Sequence, residues 1–216
     1  SDNLTATEMS TTSPWDFRSE RELQLSKKYE QDGYVIEDAD YIHITSMKKR
    51  VEESFAEFAT KIGKDNVPLE NAHQIIDNDT SNELRLHIME SLSKTTSFNQ
   101  SYYYSAKQVI DTLCGNELAM QKRPGISINL PYNQKDVLPI HADTWNGVSP
   151  FELNIWVPFV DCSNSMCLYI LKRKQYTERL KNSEGLLQLT SDELFEELRD
   201  DLTWIPIQYG KILAFD

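Results

Sequence analysis

The chain is expected to fold as an α+β domain, with helices packed on one face of a β-sandwich or barrel. Up to about residue 120, apolar residues recur at helical spacing between densely charged stretches. After Pro124 they alternate in short runs, the period-two pattern of strands. Helices first and strands later put the helices in one layer against the sheets. At 216 residues, 39% hydrophobic and 10% aromatic, the chain is long enough to bury a core without staples, so one domain over 18–216 is expected, helical over 18–120 and β-rich over 121–216.

The elements follow in order. Residues 1–17, polar and Ser/Thr-rich, are expected to be a disordered leader. Residues 18–31 carry Leu23, Leu25 and Tyr29 at helical spacing. Asp32-Gly33 stops that helix, and 33–36 reads as a short strand. A long helix is expected at about 44–62, with Met47, Val51, Phe55, Phe58 and Ala59 on one stripe and Gly63 ending it. After a polar connection over 64–81, helices are expected at 82–93 and 101–120, the Tyr102–Tyr104 run packing against the sheet. Strands are expected at 125–130, 137–142, 151–160, 166–172, 203–208 and 210–215. Thr190 and Glu193 form a capping box that opens a short acidic helix at about 191–200, the one helical insertion among these strands.

Composition narrows the function. Net charge is −12, so nucleic acid is not an expected partner, since phosphate binding needs clustered Lys and Arg. The same charge repels anionic membrane surfaces, and no run approaches the ~18 apolar residues of a membrane span. No signal-peptide pattern is present. Cys114, Cys162 and Cys167, odd in number and without CxxC spacing, read as reduced, largely buried thiols in a cytoplasmic protein. Neither GxGxxG nor GxxxxGK[ST] occurs. Oligomeric state has no sequence signal here.

The segment LPIHADTWNGVSPFELNIWVPFVD, 138–161, holds the chemistry. In an extended chain residues i and i+2 share a face, so His141 and Asp143 are able to offer an imidazole nitrogen and a carboxylate oxygen to one metal ion. That is two-thirds of the 2-His-1-carboxylate triad of non-haem iron sites. The competing reading is a structural loop in which His141 hydrogen-bonds Asp143 or Thr144. In the following strand Glu152, Asn154 and Trp156 fall on one face and Leu153, Ile155 and Val157 on the other.

Residues 121–171 resemble the Fe(II)/2-oxoglutarate-dependent oxygenases of the phytanoyl-CoA dioxygenase-like superfamily, most closely those of bacterial carbohydrate-biosynthesis clusters. The similarity lies in the strand from Arg123 to Pro131, the HADTW motif from His141 to Trp145, Gly147-x-Ser149-Pro150, the strand from Glu152 to Pro158, and Asn164-Ser165-Met166. Asp32-Gly33-Tyr34-Val35-Ile36 is similar to the family's opening. The resemblance implies a double-stranded β-helix, a cupin-like jelly-roll buttressed by N-terminal helices. It implies Fe(II) held by His141, Asp143 and a distal His, with 2-oxoglutarate as cosubstrate, and oxidation, by hydroxylation, of a small polar substrate such as a sugar or carbohydrate precursor. Asn129, Arg123 and Trp145 are the candidates for the cosubstrate; Asn154 and Trp156 are the candidates for the substrate pocket. Halogenation is disfavoured, because Asp143 keeps the carboxylate that a halide would replace.

None of the other histidines, His43, His73 and His87, follows His141. Strand 210–215 resembles the one leading into the distal His, so that His and the Arg that grips 2-oxoglutarate are expected past Asp216. Two alternatives stand beside the oxygenase: a non-catalytic jelly-roll that binds a sugar or a protein, and a cupin-type sugar isomerase or epimerase. A cysteine enzyme fits poorly, with no His near Cys162 or Cys167 in sequence.

Overall fold

The structure is a computed structural model that describes residues 17–123, 125–130, 139–181 and 186–216; the expected leader, apart from Phe17, lies outside them. Helix α1 (Glu20–Asp32) starts at Ser19, whose hydroxyl accepts from the Glu22 amide while the Glu22 carboxylate accepts from the Ser19 amide. It ends at Gly33, in the left-handed region at φ 81° with its amide on the Tyr29 carbonyl. Strand β1 (Tyr34–Asp38) follows. Asp40 then caps the long helix α2 (Tyr41–Lys61) by accepting from the amides of Ile42 and His43. The apolar stripe of α2 is buried as its spacing predicts: Met47, Val51, Phe55, Phe58 and Ala59 are all inside.

Helix α3 (Asn78–Ser93) begins four residues earlier than expected, because Asp77 and Thr80 make a capping box in what reads as connection. The helix expected over 101–120 is two helices, α4 (Thr96–Ser105) and α5 (Lys107–Cys114). No Gly or Pro marks the break. Instead the Ser105 carbonyl accepts from the Asp40 amide at 3.0 Å, tying the end of α4 to the start of α2. Gly115, at φ 81°, ends α5, so 115–120 is not helical.

The second half carries β2 (Asn154–Trp156), β3 (Leu168–Leu171), α6 (Arg173–Lys181), α7 (Ser191–Leu198), β4 (Leu202–Ile205) and β5 (Lys211–Phe215). The Thr190–Glu193 capping box is present. Helix α6 was not expected: its residues RKQYTERLK are almost all polar, so no apolar stripe announces it. Two antiparallel sheets form, β1-β5-β2 and β3-β4, and neither is closed. Residues 125–130 make no strand, although Ile126, Ile128 and Leu130 alternate onto the main core as their spacing predicts. Residues 139–142 are not strand either, and 137–138 lie outside the described residues. The strand expected at 151–160 shrinks to three residues, since Ser149–Glu152 is a turn and Pro158 has no amide to donate.

The central sheet has two apolar faces. Val35, Ile155, Ile212 and Ala214 pack with α2, α3 and α4 in the main core. On the other face Tyr34, Ile36, Trp156, Leu213 and Phe215 pack with Leu168, Ile170, Ile205 and Ile207 of the second sheet and its continuation. The two sheets thus share an apolar layer, with α2 to α5 outside one and α7 outside the other, where Leu194 and Leu198 meet Leu171 and Leu202. Among the described residues no helix is long and apolar enough to cross a membrane.

Tyr102 ties the helical layer to the sheet. Its hydroxyl donates to the Ile155 carbonyl of β2, an edge strand of the central sheet, and burial pushes its phenol up to about 12. The folded pKa exceeds the ordinary value near 10, so the neutral phenol's contribution is present below pH ~10 and is lost as pH rises towards about 12. Tyr102→Phe leaves a part-buried carbonyl unpaired and is expected to cost about 1–3 kcal/mol in urea unfolding at neutral pH. Between pH ~10 and ~12 the variant's stability should fall less than the parent's.

Candidate functional site

His141 and Asp143 stand at the mouth of the loop that leads into β2. Ile140 anchors the approach by packing against Leu186, Leu194 and Leu198 beside the second sheet. Ala142 is extended, at φ −113° and ψ 136°, so the two flanking side chains project to one side although no ladder holds them. Asp143 then opens a 3-10 turn, Asp143–Asn146, closed by Gly147 at φ 81°. The turn accounts for the sharp change of direction: the Asp143 carbonyl accepts from the amides of Gly147 and Val148.

The donor atoms face each other. His141 Nε2 lies 3.4 Å from Asp143 Oδ1, and both side chains are about one-third exposed, at 34% and 38%. His141 Nδ1 is 2.6 Å from the Pro139 carbonyl. A carbonyl only accepts, so Nδ1 is the donor in this bond and Nε2 is the ring nitrogen turned towards Asp143. The far carboxylate oxygen, Asp143 Oδ2, accepts from Asn154 Nδ2 at 2.8 Å.

This pair fits a metal ion. With metal–ligand bonds of about 2.1 Å, two ligands at a right angle lie about 3.0 Å apart, so a separation of 3.4 Å needs only a modestly wider angle. Each group has its other polar atom engaged elsewhere, which leaves Nε2 and Oδ1 facing each other. Among the described residues no third His, Cys, Asp or Glu joins them.

The other expected site residues fall in different places. Asn154 meets Asp143 directly. Trp156 lies two residues on, on the same strand face, packed into the layer between the sheets. Trp145 sits in the 3-10 turn and is 45% exposed. Arg123 is exposed and Asn129 half-buried; among the described residues the side chains of His141 and Asp143 meet the Pro139 carbonyl, Asn154 and each other. The Pro139 carbonyl was missed, since a backbone acceptor leaves no mark in a sequence.

The cysteines do not contribute. Cys162 is half-buried and Cys167 buried, whereas Cys114 is exposed, against the expectation of burial. Burial pushes the Cys162 thiol up to about 11, far from the thiolate that reactivity needs.

Set against protein-family models, curated proteins and solved structures, the chain finds no match in any of the three comparisons.

Proposed function

We propose that the chain is a non-haem Fe(II)/2-oxoglutarate-dependent dioxygenase built on a double-stranded β-helix, hydroxylating a small polar substrate of the sugar or carbohydrate-precursor class. One observation carries the reading: His141 Nε2 and Asp143 Oδ1 face each other at 3.4 Å, with Nδ1 and Oδ2 held by other groups. Two antiparallel sheets sharing an apolar layer, with helices outside, support the jelly-roll part of it. The acidic charge of −12 agrees with a substrate that is not a nucleic acid.

His141 would supply one nitrogen, its ring oriented by the Pro139 carbonyl. Asp143 would supply one oxygen. The third ligand would come from outside the described residues. Fe(II) bound there would supply dioxygen activation coupled to conversion of 2-oxoglutarate into succinate and CO2, with oxidation of a substrate C–H. Trp145, two residues from Asp143 and partly exposed, is the aromatic candidate to shield that chemistry from water.

The test is succinate formation from 2-oxoglutarate in the presence of Fe(II) and oxygen. The reading expects turnover in the parent protein and none in Asp143→Ala. Equal turnover in both would overturn it, and chemistry on a sugar without 2-oxoglutarate would favour the isomerase instead.

A further inference from the structure

We propose that Asn154 is a positioning residue that makes Asp143 a one-oxygen metal ligand. The inference rests on the iron reading above and assigns Asn154 to the carboxylate rather than to the substrate. Three observations combine. Asp143 lies on a loop, at the first position of a 3-10 turn, so its own backbone gives the carboxylate little restraint. Its Oδ2 accepts from Asn154 Nδ2 at 2.8 Å, across eleven residues of chain. Asn154 itself is fixed, because it opens β2 opposite Phe215 of β5, and β5 is the central strand, pinned on its other side by β1.

The amide's orientation follows from chemistry. An ionised carboxylate only accepts, so the Asn154 nitrogen must face it. With Oδ2 drawn towards Asn154, the carboxylate favours offering Oδ1 alone to an ion in front of His141 Nε2. That would matter at a facial-triad iron, whose remaining three positions are to stay open for exogenous ligands. A chelating carboxylate would take one of the three. The strand would thereby bias Asp143 towards one-oxygen ligation through a single hydrogen bond to a loop residue, the way outer partners orient metal ligands.

Titration of the whole chain with Co(II), followed by its visible ligand-field bands, separates the possibilities. The parent should bind, and Asp143→Ala should not. Asn154→Leu keeps the size and removes the donor; its affinity should fall about 10- to 100-fold with bands changed in shape and intensity. Asn154→Asp keeps the shape and sets a repelling oxygen against Oδ2; it should bind more weakly still. Should Asn154→Leu lose its circular dichroism signal, Asn154→Asp gives the same comparison. Unchanged affinity and bands in a folded Asn154 variant would overturn the positioning role while leaving the iron reading intact. A folded parent that binds no Co(II) would overturn both.

Discussion

Replacing His141 with alanine is expected to abolish Fe(II) binding, and Asp143→Ala is expected to do the same. Each supplies one of the two facing donor atoms 3.4 Å apart. Losing a partner outside the coordination sphere typically weakens a metal site about 10- to 100-fold, so loss of a ligand should exceed that. The effect should be local. Both side chains are about one-third exposed, at 34% and 38%, and neither belongs to an apolar cluster of the core. Thermal unfolding of the metal-free variants should therefore match the parent closely, while Mn(II) titration by electron paramagnetic resonance shows binding in the parent alone. Binding by His141→Ala at parental strength would remove the imidazole from the site.

The largest effect on stability is expected at Phe55. It is 1% exposed and sits in the middle of α2, in the core shared with α3, α4 and the central sheet. Truncation to alanine removes most of a ring that has no water to fall back on and leaves a cavity in the main core. Phe→Ala in such a place costs about 3–5 kcal/mol. At about 2–4 °C per kcal/mol for a chain of this size, the midpoint should drop by roughly 6–20 °C. Phe55→Leu, which refills most of the space, should recover more than half of that; a loss below ~1 kcal/mol for alanine would mean the core is loose around α2.

What the sequence revealed depended on whether the signal was local. Helix α2 was legible because its stripe of Met47, Val51, Phe55 and Phe58 is periodic and its end at Gly63 chemical. The α7 capping box was legible because Thr190 and Glu193 are three residues apart. The break between α4 and α5 was not, since its cause is the Asp40 amide, some sixty-five residues away. Helix α6 lacked a stripe, and Asp77 hid as a turn residue while serving as a cap. Over 125–130 alternation was right about which residues face the core, but burial alone does not make a ladder.

The site divides in the same way. His141 and Asp143 were found together because two positions along an extended chain is a local relation, and it survives although the segment is not a strand. That Asn154 would meet Asp143 needed the fold, because the contact bridges a turn and a strand across eleven residues.

Anaerobic titration of the protein with Fe(II) and then 2-oxoglutarate asks most directly whether His141 and Asp143 hold a catalytic iron. A weak visible charge-transfer band should grow only when both are present, saturate at one equivalent, and vanish in His141→Ala and Asp143→Ala. A band that persists in either variant, or a folded parent that gives none, would contradict the oxygenase and leave a His-x-Asp pair that serves the loop alone.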